Sequence, residues 1–290
     1  MRVTTNMIQA QILDSLTANQ SRLFETQRQI STAKAVRTSS DDPTRYDRAS
    51  RFKSLLMRND QYIVNIEDGL GWLNTAGAAL GSMHQLMQQI NDEGLRSRND
   101  INAAARAQAA SSIESLLEQL VTLGNTDYSG KFVFGGTITQ GADPFSFDGV
   151  TVSFNGNSKD ISRKVGENTI MAINVTGDTF LTALAATVDL RDALLADDDT
   201  AIDAAIGAIA SGMDDILTAS SIEGSASRRL ELTKDNLQVA SINLKSYISQ
   251  AEDVDLSEAI LRFNSQELGL RAALESSSRI QRISILDFIR

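Results

Sequence analysis

From Arg228 to Arg290 the chain runs without a proline and with a single glycine, Gly269. A stretch so poor in breakers predicts one helix on the order of 90 Å long, at about 1.5 Å per residue. Leu230, Leu237 and Leu244 fall seven apart, and Ile248 follows four residues on. Leu256, Ile260, Phe263, Leu270 and Leu274 keep up a spacing of threes and fours. Such a helix has one apolar seam and nothing in its own span to bury it against. It needs a partner of similar length.

The other end of the chain supplies one. Leu13, Leu16, Leu23 and Ile30 form a seam, with Gln20 and Gln27 at the intervening heptad positions. No glycine or proline falls between Thr5 and Lys34, and most residues there are good helix formers. The glutamines weaken the seam, and an isolated helix gains too little from its own hydrogen bonds to stand alone. Residues 1–36 are therefore expected to lie antiparallel or side by side with 256–290, poorly ordered in a free monomer and ordered in an assembly.

The rest of the chain is read against these ends. At 290 residues it has room for two or three compact units. An aromatic content of 5% and only two prolines favour long helices over a β-rich core. Without cysteine there is no disulfide framework, thiol nucleophile or thiolate metal site. The opening Met1-Arg2-Val3-Thr4 has no apolar signal-peptide core, and no window reaches transmembrane length, so export would use a route without a cleaved signal. The net charge of −10 is unevenly placed. Residues 1–60 carry ten basic side chains against six acidic, whereas residues 61–230 carry ten against twenty-two. An acidic middle with milder ends argues against nucleic-acid binding, which needs a concentrated basic face.

After the first helix, Ser39-Ser40-Asp41-Asp42-Pro43 predicts a helix start, with Asp42 as cap and Pro43 in the first helical position. A helical seam follows through Ile63, Ile66, Leu70, Leu73, Gly77, Leu80, His84 and Met87. Polar residues 96–102 mark a turn, and a second seam takes in Ala109, Ile113, Leu116, Leu120 and Leu123. Past Asp197-Asp198-Asp199, which read as a helix start, comes a third: Ile202, Ile206, Ile209, Met213 and Ile216. With the C-terminal helix these predict a bundle of about four helices. Between Tyr128 and Gly177 the period changes to two. Phe132-Val133-Phe134, Phe145 with Phe147, Val150-Val152-Phe154 and Met171-Ile173-Val175 read as strands. Asp148-Gly149 is a two-residue hairpin signal, and Asn155-Gly156 is another turn signal.

The fold class expected is mainly α: a long bundle with a coiled coil from paired terminal segments, and a small β-rich domain inserted mid-chain. The expected division is 1–40 with 252–290 as terminal coiled coil, 41–130 with 178–251 as helical bundle, and 131–177 as outer β-rich domain.

Signals for chemistry are sparse. The single histidine, His84, lies on a helical seam and reads as a packing residue, as does Trp72. No G-x-S-x-G elbow and no phosphate loop ending in Gly-Lys-Ser/Thr is present. The paired aspartates Asp41 and Asp42 lack the further oxygen ligands a hard cation needs. Catalytic, cofactor-binding and metal-binding residues are all expected to be none.

In order along the chain, several motifs then form a pattern. These are Thr38-Ser39-Ser40-Asp41-Asp42-Pro43, Asn65-Ile66-Glu67-Asp68-Gly69-Leu70-Gly71-Trp72-Leu73, and Gly124-Asn125-Thr126 leading to Phe132-Val133-Phe134-Gly135-Gly136. Pro144-Phe145 and the ending Ile285-Leu286-Asp287-Phe288-Ile289 complete it. The chain resembles the flagellin-like family of bacterial flagellar hook-associated protein 3, over both ends, the bundle and part of the β insertion. Asp41, Asp42, Pro43, Trp72, Asn125, Phe134, Gly135 and Gly136 are the motif residues that carry it.

The resemblance implies an extracellular structural subunit of the flagellum with no cofactor. It implies a homo-oligomeric ring between hook-associated protein 1 and the first flagellin, and export, unfolded, through the flagellar type III channel with a cytosolic chaperone. Leu13, Leu16, Leu23, Ile30, Leu256, Ile260, Phe263, Leu270, Leu274, Ile280 and Ile283 would then be the assembly residues. A bulk filament flagellin, a non-flagellar type III tip protein and a surface enzyme carried on the β insertion are the alternatives.

Overall fold

A computed structural model describes residues 5–99 and 102–288, with side chains described between 10 and 278. The chain divides into two compact units, one of residues up to 57 with those from 241 on, the other of 58–240. Its elements are α1 (Thr5–Thr32), α2 (Pro43–Arg98), α3 (Ala103–Gly124), β1 (Asp127–Tyr128), β2 (Lys131–Phe132), β3 (Phe145–Phe147), β4 (Val152–Phe154), β5 (Ser162–Lys164), β6 (Ile170–Ala172), a 3-10 turn (Gly177–Phe180), α4 (Leu181–Ala196), α5 (Asp199–Glu252) and α6 (Leu256–Phe288).

The helix starts follow from their caps. Asp42 Oδ1 accepts from the amides of Thr44 and Arg45, with Pro43 in the first position of α2, where no amide hydrogen is needed. Asn102 caps α3 by accepting from the Ala104 amide. Of the three aspartates, Asp198 is the cap of α5, accepting from Thr200 and Ala201. Asp197 takes a left-handed conformation, φ 55°, that ends α4.

The expected single C-terminal helix is two helices. The third seam and the stretch from Arg228 both belong to α5, which stops at Glu252. Asp255 Oδ1 then accepts from Ser257 and Glu258 and starts α6 afresh. A further helix, α4, was not foreseen from the sequence pattern. Ala183, Leu184, Ala186, Leu190 and Leu194 are all buried there, so it is apolar on too many sides to show a single stripe.

In the unit of residues 58–240, α2 and α5 run antiparallel. Arg98 pairs with Asp203, and Glu67 with Lys234. The backbone of Gly77 lies beside Glu223, and that of Gly69 beside Leu230. The continuous core takes Ile66, Leu73, Leu80 and Met87 from α2, Ile113, Leu117 and Leu120 from α3, and Ile202, Ile209 and Ile216 from α5. At roughly 1.5–3 kcal/mol for each large side chain removed from water, this core is the main source of the unit's stability.

The β segment forms three separate antiparallel hairpins rather than one sheet: β1–β2, β3–β4 and β5–β6. Phe147 pairs with Val152, so the Asp148-Gly149 turn has four residues, not two. Asp148 explains the longer loop, because its carboxylate accepts from the amides of Val150 and Thr151. The hairpins share the bundle's core through an aromatic stack. The Phe134 ring meets Phe180 edge-on at 5.0 Å, and Phe145 stacks on Phe180 at 5.2 Å.

Candidate assembly surface

In the unit that holds both ends, α1 and α6 pack antiparallel. One shallow groove between them joins Arg22, Glu25 and Gln29 to Arg262 and Gln266; a second joins Ile12 and Leu16 to Ala273 and Ser277. Leu16, Leu23 and Ile30 are half-buried and Thr26 is buried on α1; Phe263 and Leu270 are half-buried and Ala259 is buried on α6. The side chains fully buried at this seam are small, Thr26 and Ala259, and the larger ones are only half-covered. With polar Thr26 and Gln266 among them, the seam gains less from apolar burial than the bundle core does.

The end of α5 is held by the segment joining α1 to α2. The amides of Ala35 and Val36 donate to the Glu252 carbonyl at 2.6 and 3.2 Å, and the Val254 amide donates to the Ala33 carbonyl. Arg45 Nε donates to the Ala251 carbonyl at 2.9 Å, satisfying an acceptor that a helix end leaves open. The Glu252 carboxylate is buried and meets Lys34, at 3.3 Å, and Lys53. Lys34 also donates to Asp253 at 2.6 Å, and that hydrogen bond raises its pKa above the usual lysine value. Asp41 accepts from the amides of Arg37 and Thr38, which hold its carboxyl below the usual range.

Pairing does not cover the apolar residues of these helices. Leu13 is 63% exposed, and Leu256, Ile260 and Leu274 lie between 44% and 51%. The seam read from the sequence is thus two faces: Leu16, Leu23, Ile30, Phe263 and Leu270 serve the pair, while Leu13, Leu256, Ile260 and Leu274 point to solvent. Ile280 and Ile283 lie outside the residues whose side chains are described. Phe24, Leu261 and Leu268, also exposed, were missed. Their signal was in the spacing: Phe24 follows Leu13 by about three helical turns, and Leu261 and Leu268 are seven apart.

The motif residues lie at joints. Trp72 is buried with its ring edge-on to Tyr128 at 6.2 Å. Asn125 holds β3, its Oδ1 accepting from the Phe145 amide and its Nδ2 donating to the Phe145 carbonyl, each at 2.8 Å. Phe134 is buried in the aromatic stack. Gly136 has φ +65°, and a side chain there would collide with the Asn157 carbonyl, while one at Gly135 would meet that of Ile138. His84 is half-buried and shares a hydrogen bond with Gln88 through Nε2. Among the described residues no group of acidic or histidine side chains is placed to hold a metal, and no helix is long and apolar enough to cross a membrane.

The bacterial flagellin N-terminal helical region matches residues 3–139, and the flagellin C-terminal helical region matches residues 201–289, together well over half the chain. The chain belongs to the flagellin family, whose members are structural proteins of the bacterial flagellum. Within it, the chain is similar to flagellar hook-associated protein 3 of Salmonella typhimurium, 23% identical with all of both chains covered. A solved structure of a flagellar hook-associated protein from Vibrio parahaemolyticus superposes with a TM-score of 0.68 at 19% identity, over 73% of this chain and all of that one. The flagellar junction protein FlgL of Legionella pneumophila gives 0.59 at 12% identity, over 71% and all respectively.

Proposed function

We propose that this chain is the subunit of the layer joining the flagellar hook to its filament. The observation that carries the reading is the set of apolar residues that α1 and α6 leave exposed after pairing, among them Leu13, Phe24, Leu256, Ile260, Leu268 and Leu274. Apolar faces left exposed in this way mark surfaces that other subunits cover. The names of its relatives, hook-associated and junction proteins, support placing those neighbours in the hook–filament junction.

On this reading the partners are further copies of the chain in a ring, hook-associated protein 1 on the hook side and flagellin on the filament side. Of the assembly residues named from the sequence, the exposed Leu13, Leu256, Ile260 and Leu274 act there together with Phe24, Leu261 and Leu268, while Leu16, Leu23, Ile30, Phe263 and Leu270 hold the pair that presents them. A thin α1–α6 seam suits a chain exported unfolded by the type III route with a cytosolic chaperone on its C-terminal region. Its stability then comes from neighbours at the assembly site. A second reading, a bulk filament flagellin, is favoured by the same two matched regions.

A clean deletion examined by electron microscopy, with assay of the medium for flagellin, separates them. Hooks without filaments and flagellin shed into the medium are expected. Bare hooks with no flagellin anywhere would make this chain the filament subunit, and normal filaments would overturn both readings.

A further inference from the structure

Two surfaces of this chain carry opposite charge and matching periodicity. The first is a shallow groove of about 580 Å³ between α4 and α5. Its floor is alanine: Ala193 and Ala196 come from α4, and Ala201, Ala204 and Ala208 from α5. On α5 these recur at three- and four-residue steps as a strip of methyl groups, and two alanines three residues apart on α4 lie beside it. With no side chain beyond Cβ, the floor lets another helix approach closely, since interaxial distance is set by the side chains at the contact. Its rim is anionic, formed by Asp189, Asp192 and Asp198. Residues 189–203 hold six aspartates and one basic residue, Arg191. Arg191 pairs with Asp192, and Asp198 caps α5, whereas Asp189 makes no ion pair among the described residues.

The second surface is on α2. Arg48, Arg51, Leu55 and Arg58 recur at i, i+3, i+7 and i+10, which places three guanidiniums and one leucine within about 80° of the helix circumference. All four are exposed. Residues 43–58 hold five basic side chains and one acidic, Asp47, which pairs with Arg51. Arg48 and Arg58 make no ion pair among the described residues.

We infer that the alanine groove of one copy receives the Arg48–Arg58 face of α2 from a second copy, with Leu55 on the methyl floor and the guanidiniums against the rim aspartates. This rests on the assembly reading above and adds a specific contact between subunits. A second copy is the occupant because the complement in charge and in helical spacing is carried by the same chain. Two different surfaces meeting in this way form a head-to-tail contact, which repeats from copy to copy. The exposed charges set register and encounter rather than most of the affinity, and salt weakens them.

The absence of cysteine gives a clean background for the test. A full-length Leu55→Cys/Ala204→Cys double variant, expressed in the deletion strain, is oxidised in purified flagella and run without reductant. Covalent dimers and longer ladders are expected from the double variant and none from either single variant. Asp189→Arg/Asp192→Arg should cut the cross-linked fraction several-fold, and adding Arg48→Asp/Arg51→Asp should restore it. Double variant present in flagella but never cross-linked would overturn the contact while leaving the assembly reading in place. Dimers from a single variant would overturn the head-to-tail geometry. Wild-type chain absent from flagella would overturn the assembly reading and this contact with it.

Discussion

Asn125 commits its side-chain amide to one residue, donating to the Phe145 carbonyl and accepting from the Phe145 amide. Phe145 is buried and lies against the backbone of Gly124, where a Cβ would come within 2.7 Å of its ring. Asn125→Ala therefore strands two backbone groups near a packed ring, where water has little access. The expected cost is about 1–3 kcal/mol, read as a lower urea midpoint with an unchanged slope. A midpoint equal to wild type would mean that the Phe stack alone fixes β3. Asn125 stands out in the sequence as a motif residue, but its partner lies twenty residues on and no local pattern links them. The same holds for Arg191, buried against the Phe147 ring at 5.5 Å and donating to the Gly149 carbonyl. Contacts of this kind depend on the tertiary path of the chain, so periodicity is silent about them.

At the scale of elements, the long helices were legible because each keeps one period for many turns, and Asp42-Pro43 marked a start by a purely local mechanism. The break between α5 and α6 was not, because Asp253-Val254-Asp255 contains no glycine or proline. Its signal was subtler: Asp255 with Glu258 three residues later is the pattern of a capping box. The break persists because the linker after α1 bonds to it, through Ala35, Val36 and the Lys34–Glu252–Lys53 cluster. Glu252→Ala removes the buried member of that cluster but leaves two lysines that still reach water, at 36% and 50% exposure. The cost should accordingly be about 1 kcal/mol, below the 3–5 kcal/mol of a broken pair whose survivor stays buried. Hydrogen exchange should show faster amides at Ala35 and Val36 with unchanged protection in α3. Equal protection at Ala35 and Val36 in the two proteins would assign the linker's order to its backbone bonds alone.

For the whole molecule, the division of the terminal seam into two faces separates folding from assembly, which sequence spacing alone had merged. Leu270 is half-buried against α1, whereas Leu274, one helical turn on, is 51% exposed. A charge at the first site is placed inside the pair, and a charge at the second meets only water until another subunit arrives. Leu274→Asp should thus leave thermal unfolding of the purified chain within about 0.5 kcal/mol of wild type, as for most surface changes. It should nevertheless abolish swimming when it replaces the wild-type gene, because burying an unpaired carboxylate costs several kcal/mol once a neighbour covers it. Leu270→Asp should lower stability in solution as well, since its carboxylate is partly desolvated before any neighbour arrives. Measuring both variants by calorimetry and by complementation tests the division directly. If Leu274→Asp swims normally, the exposed face is not an intersubunit surface. If both variants lose solution stability equally, the two faces are one, and pairing of α1 with α6 would already account for every apolar residue the ends carry.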